Sequence, residues 1–367
     1  MTGQRGAWRS MQRIYRMQTI DCFGTGFERG LAHGETARDK VRAALAKWEA
    51  ATLSSLRHPV NISDYARSFL DQTGLFAKVR QALPDLAEEV RGVAVGAGIA
   101  EDLIAAYNLM DEQWWYDLDS APKTEPGCSL IGLHGPNGTL LAQNMDLPEF
   151  MDGSQVVLRI GGPDLPETLL LSAAGLIGLT GVNRNGVAIC VNTLLMLRHQ
   201  TGAVPVAFVL RHALAAHSAP DAIGRLQSLS HASGQHYAVA DSAGVTSLEC
   251  SAGGAVTSPQ ALLLHTNHPL HSSDLDAQAL ACLTRYGRVA NSETRLGWLR
   301  DKVQAAAPET VEALLSDPTT PLCMVADTNS RSQTFGSVLF NLSQTPEARF
   351  RLGLPGKTAW HQVGFSN

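Results

Sequence analysis

The amino-acid sequence predicts an α+β fold in which a helical front third precedes a layered, strand-rich remainder. Three observations carry that prediction. Upstream of about residue 127 the apolar residues recur at helical spacing, and downstream the period drops to two. Within the downstream part, a run of strands is interrupted by a pair of helices before strands resume, an order unlike the strict strand–helix alternation of a doubly wound parallel sheet.

The elements follow in order. Val41, Leu45 and Trp48 stand at i, i+4 and i+7, and Tyr65 and Phe69 repeat the spacing before Pro84 interrupts it. Further helix is expected through "DLAEEVRGV" (85–93) and "EDLIAAYNLMDEQWW" (101–115). Short strands are expected at "SLIGLH" (129–134), "TLLAQN" (139–144), "QVVLRI" (155–160), "TLLLSA" (168–173) and "VAICVN" (187–192). "HGPNG" and "NRNG" read as turns between them, since Asn-Gly tolerates positive φ. Helices then follow at "VPVAFVLRHALAA" (204–216) and "SAPDAIGRLQSL" (218–229), and strands return at "HYAVAD", "GVTSLE" and "ALLLHTN" (261–267). No solenoid repeat or low-complexity tract is present.

Composition narrows the function classes. The chain has 367 residues, 44% of them hydrophobic and 17% charged, with a net charge of −5, which gives no basic footprint for nucleic acid. Its N-terminal arginines (Arg5, Arg9, Arg13, Arg16) are scattered, and Met11 and Met17 are alternative starts. No apolar run follows them, so no secretory signal is expected. Stretches such as "GVAVGAGIA" (92–100) are too short to span a bilayer, so no membrane partner is expected. The six cysteines show no C-x-x-C pairing, which points to the cytoplasm and against a zinc ribbon or disulfide scaffold. A homo-oligomer remains open.

Within "TEPGCSLIGLHGPNG" (124–138), Cys128 stands between a Pro-Gly turn and the first clean strand. A thiol gains little from that position unless the Gly127-Cys128 bond is cut. Once it is cut, the new α-amine, of ordinary pKa about 7.7–8.0, lies on the same residue as the thiol and serves as its base. Gly127 suits the cut because a residue without Cβ permits close approach to its carbonyl.

At these residues the sequence resembles the acyl-coenzyme A:6-aminopenicillanic acid acyltransferase-like enzymes, peptidase family C45 of the N-terminal nucleophile hydrolases, which mature by cutting before the cysteine of a Gly-Cys pair. The resemblance runs from "GFERGLAHGE" to the closing "GLPG". "AQNMD" sets Asp146 eighteen residues beyond Cys128 and matches the family's Gln-Asn-aromatic-Asp block. Choloylglycine hydrolases carry an Arg where Gln143 stands, and Met145 replaces the aromatic, which weakens a bile-salt-like specificity. "GVAICVNTL" places Asn192 at a substrate-side asparagine, and "HTNHPL" places Asn267 at the oxyanion asparagine.

The resemblance implies a four-layer αββα sandwich, with residues 1–127 as a helical α chain, cleaved but retained, and 128–367 as the catalytic β chain. It implies Cys128 as nucleophile, Asp146 orienting the freed amine, Asn267 as oxyanion donor and Asn192 supporting it or holding substrate. Arg295 in "SETRLGWL" is carried over as an arginine preceding a helix. Gln143, Asn144, Arg295, Trp114 and Trp115 are substrate-binding candidates. The implied activity is autoproteolytic activation followed by hydrolysis of a small N-acyl or aminoacyl amide. Transfer from acyl-coenzyme A to an amine is the alternative, and an uncleaved binding protein the third possibility. No cofactor is implied; acyl-coenzyme A would enter as substrate, and the expected partners are a small-molecule amide or acyl donor and the two chains of one precursor.

Plainer roles compete. Cys190, Cys250, Cys282 and Cys323 read as small buried hydrophobes. Asp146 also fits a turn cap before "LPEF", Asn267 a turn before His268-Pro269, and Asn192 a strand end. Trp114, Trp115 and Tyr116 equally suit core packing. His265, His268 and His271 form an H-x-x-H-x-x-H run, but Pro269 breaks any helical face and a strand would not converge all three, so no metal is expected. "GTGFERG" (24–30) is set aside as a dinucleotide loop because no strand is read before it and Arg29 replaces the third glycine. Met1-Thr2 is set aside as an N-terminal nucleophile because no strand is read after it.

Overall fold

The computed structural model describes residues 19–56, 58–117, 127–136, 138–303, 308–327 and 331–366. The N-terminal arginines, the alternative starts and Met1-Thr2 lie outside the described residues, as do residues 118–126 and Asn137 of the first turn.

In chain order, strand β1 (Thr19–Phe23) precedes seven helices: α1 (Gly26–Thr36), α2 (Arg38–Ser55), α3 (Ile62–Thr73), α4 (Leu75–Ala82), α5 (Pro84–Ala97), α6 (Glu101–Tyr107) and α7 (Met110–Tyr116). Six strands follow: β2 (Ser129–Gly135), β3 (Gly138–Pro148), β4 (Gln155–Gly162), β5 (Leu165–Ala173), β6 (Thr180–Asn183) and β7 (Ala188–Thr193). Helices α8 (Val206–Ala213) and α9 (Ala219–Gln227) lead to β8 (Gln235–Asp241), β9 (Gly244–Ser251), β10 (Gly254–Gln260) and β11 (Leu262–His265). The chain continues through α10 (Ala277–Arg285), α11 (Arg288–Lys302), α12 (Pro308–Ser316), β12 (Ser332–Leu342), β13 (Pro346–Leu352) and β14 (His361–Val363).

The strands form two sheets. One has the order β1-β4-β5-β6-β7-β8-β9-β10, and the other β11-β2-β3-β12-β13-β14. Strands β2 and β3 of the smaller sheet pack on β7 and β9 of the larger one, while α1 and α9 lie against the larger sheet and α11 and α12 against the smaller. The result is the expected α+β arrangement of four layers. Burial on both faces explains why β7, at the sheet–sheet contact, has no exposed residue along its length.

The helical segment starts with a capping box, Thr25 with Glu28, and closes on α5. Gly30 of α1 meets α5 so closely that a Cβ there would lie 1.9 Å from the backbone oxygen of Glu89, and Gly92 on α5 returns the contact against Phe27. Arg29 is therefore driven under α5, where its Nε donates to Glu89 at 2.8 Å; Arg211 donates to the same carboxylate at 2.6 Å. Trp48, Tyr107 and Phe69 are almost fully buried in the main core.

Several expectations need correction. A strand, β1, does precede "GTGFERG", and it pairs in parallel with β4; Gly26 and Gly30 of that segment serve the contact with α5, and Gly24 takes a positive φ in the turn between β1 and α1. Strands β1, β6, β10 and β12–β14 and helices α10–α12 were not read from periodicity. β1 alternates over only five residues, β14 has three, and β12 is buried on both faces over most of its length, which erases alternation. Cys190 and Cys250 are buried as expected, but Cys282 and Cys323 are only partly so.

Candidate active site

Strands β2 and β3 form an antiparallel hairpin in which Ser129 pairs with Asn144 and Leu133 with Leu140. Continued two residues outward, that register sets the Gly127-Cys128 junction across from Asp146, and the Gly127 amide donates to the Asp146 carbonyl at 3.2 Å. The hairpin alone thus brings the cysteine and the carboxylate together.

Cys128 is 3% exposed. Burial pushes its thiol well above the ordinary range, and the Asp146 charge adds to this, while a backbone hydrogen bond from Asp146 and the charge of Arg295 oppose it. In the intact chain, then, the thiolate is suppressed.

Asp146 is buried, and that burial raises its carboxyl to about 7 against the opposing influence of Arg295 and of the Thr334 hydroxyl. Thr334 Oγ1 donates to Oδ1 at 2.6 Å, whereas Oδ2 has no hydrogen-bond partner. Oδ2 faces the junction: a Cβ on Gly127 would lie 3.2 Å from it and 2.6 Å from Cε of Met324. A side chain at 127 would crowd the carboxylate, which explains the glycine by close approach.

The other groups come from distant elements. Asn192, on β7 of the opposite sheet, donates from Nδ2 to the Cys128 carbonyl at 3.3 Å, and its Oδ1 lies 3.0 Å from His236 Nδ1. An amide oxygen only accepts, so His236 carries its proton on Nδ1 and accepts from Ser247 through Nε2, at 2.9 Å. Arg295 lies within α11 rather than before a helix. Its Nη1 donates to the Cys128 carbonyl at 2.7 Å, and its Nη2 to Asn267 Oδ1 at 3.0 Å. Asn267 in turn donates from Nδ2 to the Thr193 carbonyl at 3.1 Å, which leaves its second amide hydrogen for another acceptor.

Two spaces adjoin the cysteine. A cleft of about 400 Å³ is bordered by Gly127, Thr193, Asn267, Arg295 and Met324, with the exposed Tyr286 and Val325 at its rim. A second, apolar cavity of about 50 Å³ touches Cys128 itself together with Asp111, Trp114, Met145, Met151 and Val191. Thr193 borders both.

Cys128, Asp146, Asn192, Asn267 and Arg295 are brought together, and Trp114 borders the apolar cavity. The remaining candidates are placed elsewhere. Trp115 stacks on His199 with ring centres 5.0 Å apart, and Tyr116 bonds Gln72. Gln143 points between the sheets and donates to the Val191 carbonyl at 2.6 Å. Asn144 is corrected from substrate binder to buried scaffold: it donates to the carbonyls of Leu315 and Leu322 and accepts from Ser337 and Arg351, bordering neither space. The three histidines diverge, His265 to Glu249, His268 to Ser292 and His271 to Gln260. Thr334, His236 and Asp111 were missed. Thr334 sits on an unread strand, and the other two carry no local motif.

A family model described as "Acyl-coenzyme A:6-aminopenicillanic acid acyl-transferase" matches residues 133–357, a span that begins downstream of Cys128 and includes Asp146, Asn192, Asn267 and Arg295. The chain is similar to a protein of Emericella nidulans named acyl-coenzyme A:6-aminopenicillanic-acid-acyltransferase 40 kDa form, with 28% identity over 281 residues, 74% of this chain and 76% of the relative. Among solved structures it is similar to penicillin V acylase from Agrobacterium tumefaciens at 13% identity and a TM-score of 0.40, covering 64% of this chain and 86% of that one. A variant of conjugated bile acid hydrolase from Clostridium perfringens aligns at 10% identity and a TM-score of 0.45, covering 65% and 94%. No described helix is long and apolar enough to cross a membrane.

Proposed function

Because the chain belongs to the acyl-coenzyme A:6-aminopenicillanic acid acyl-transferase family, whose members are enzymes, we propose that it is an amidohydrolase activated by its own cleavage at Gly127-Cys128. The single observation that carries this is the unpartnered Oδ2 of Asp146, buried beside the junction. A buried carboxylate oxygen without a donor is unfavourable. The α-ammonium released at Cys128 is the donor it lacks.

In maturation the Cys128 thiol attacks the Gly127 carbonyl carbon, the C–N bond breaks as the acyl group moves to sulfur, and the nitrogen takes the thiol proton. Water then hydrolyses the thioester, leaving a Gly127 carboxylate and a free thiol on Cys128, whose α-amine takes up the released proton and, with an ordinary pKa of about 7.7–8.0, exchanges between ammonium and neutral amine. In turnover that amine takes the thiol proton, and the thiolate attacks a substrate amide carbonyl. The second amide hydrogen of Asn267 faces the oxyanion, and the ammonium returns its proton to the leaving amine. Water releases the acyl group from sulfur, and the α and β chains stay together throughout.

Transfer is the second reading. It shares the acyl-enzyme, with acyl-coenzyme A as donor and an amine in place of water, and it is favoured by the name of the Emericella nidulans relative. The exposed rim of the larger cleft supports hydrolysis, since water enters freely there.

The test is an intact-mass spectrum of purified protein beside a Cys128→Ala variant. Wild type is expected as fragments of 127 and 240 residues and the variant as one chain. A folded wild type that stays whole overturns the proposal in favour of an uncleaved binding protein.

A further inference from the structure

Among the wall residues of the apolar cavity against Cys128, Asp111 is the one carboxylate; the only other titratable groups there are the thiol itself and the Tyr107 phenol, which burial holds neutral. Thr193 Oγ1 donates to its Oδ2 at 2.8 Å and Gln235 Nε2 at 3.0 Å. Among the described residues no hydrogen bond reaches Oδ1 and no lysine or arginine pairs with the group. Its neighbour Glu112 points away, accepting from the Val206 amide and the Ser233 hydroxyl.

The surroundings sharpen what this carboxylate lacks. Trp114, Met145, Met151, Val191 and Leu210 supply the apolar wall, and burial raises the Asp111 carboxyl to about 6. A carboxylate in such a wall is poorly stabilised until a cation reaches it. Its field also reaches the Cys128 thiol, so the two groups sit at one small site. The cavity of about 50 Å³ is tight. Each water-sized group needs roughly 10–15 Å³ by this measure, so only a few heavy atoms fit.

We infer that Asp111 sets the acyl specificity of this enzyme, pairing with the ammonium of a short aminoacyl group whose carbonyl is delivered to Cys128. The inference rests on the acyl-enzyme reading proposed above. It narrows the substrate class from any small acyl amide to aminoacyl amides, with Thr193 and Gln235 as positioning residues that hold the carboxylate toward the cavity.

Two measurements on the purified protein test it. The first compares kcat/KM for the 4-nitroanilides of glycine and β-alanine with that for their des-amino counterparts, the acetyl and propionyl anilides. Wild type is expected to favour the amino compounds by about tenfold or more, the scale of one charge-assisted hydrogen bond. In Asp111→Asn that ratio is expected to fall toward one. Because a ratio is read, a general loss of activity cancels.

The second needs neither turnover nor a variant. Alkylation of Cys128 by iodoacetamide is followed in wild type with glycinamide or β-alaninamide present, against acetamide or propionamide. Slowing by the amino amides alone supports the inference even if no anilide is cleaved, in which case only the proposed reaction fails. Equal hydrolysis of amino and des-amino anilides leaves the hydrolase standing and overturns the role of Asp111. So does equal protection by both amide classes, or protection by neither.

Discussion

Arg295 Nη1 donates to the backbone carbonyl of Cys128 at 2.7 Å, while Nη2 of the same guanidinium holds Asn267 Oδ1 at 3.0 Å. One cation from α11 thereby fixes the nucleophile's own peptide and the proposed oxyanion donor, and its charge opposes the upward shifts of both Cys128 and Asp146. Replacing it by alanine takes the donor from Asn267 Oδ1, at a cost of about 1–3 kcal/mol, and leaves the Cys128 carbonyl with the longer bond from Asn192 alone. Arg295→Ala is expected to slow self-cleavage by about tenfold or more, read as the time course of the two fragments by mass. Arg295→Lys keeps the charge without the planar fork and is expected to recover only part of the rate. Cleavage at the wild-type rate in both variants would remove Arg295 from the machinery.

Asn267 is expected to act on the transition state. Asn267→Ala and Asn267→Asp should both lower kcat by about 10²–10³-fold with little change in KM, since both lose the amide donor. The aspartate variant keeps an acceptor for Arg295 and so separates loss of the donor from collapse of the loop. A rise in KM at constant kcat would instead make Asn267 a binding residue.

Asp146 predicts a pH dependence whose sign is fixed by its raised carboxyl. Folding favours the protonated form, so its contribution is fully present below the unfolded value of about 3.9 and is lost as the pH rises through about 7. In the uncleavable Cys128→Ala background, Asp146→Asn does not titrate, while Asp111 and Glu112 are common to both proteins and cancel. The Asn variant is expected to gain stability over its parent as the pH rises from about 4 to about 7, followed by thermal melting. A pH-independent difference would contradict it.

The helical segment is bound to the sheets by more than its helices. β1 pairs in parallel with β4, so residues before the proposed cut contribute a strand to a sheet built mostly from residues after it. After cleavage the two fragments are expected to co-elute under native conditions. Separation into a soluble 127-residue piece would show that this strand and the helical apolar faces do not suffice.

Gly30 tests the α1–α5 contact. A methyl group there would lie 1.9 Å from the Glu89 backbone oxygen, which has no rotamer with which to yield. Gly30→Ala is expected to destabilise by about 1–3 kcal/mol, the usual range for overpacking, despite the better helix propensity of alanine. Thermal melting checks this, with Gly224→Ala, whose Cβ would meet nothing within 4 Å, as the control.

What the sequence determined by itself was local. The change of period near residue 127, the hairpin turn and the alternation of β2 and β3 are enough to set Asp146 across from the Gly127-Cys128 junction, because hairpin register follows from the turn and from which face is apolar. Helical spacing likewise placed Val41, Leu45, Trp48, Tyr65 and Phe69 on buried faces. Only the tertiary structure decided the rest. Asn192 reaches Cys128 from the opposite sheet and Arg295 from the outer helical layer, separations in sequence that no period encodes. Asn144 shows the same limit in reverse: its neighbours in the motif suggested a substrate contact, and packing against α12 turned it inward. Asp111 carried no signal, since an acidic residue in the first turn of a helix is ordinary, and only the packing of α7 beside β7 places its carboxylate in an apolar wall next to a thiol.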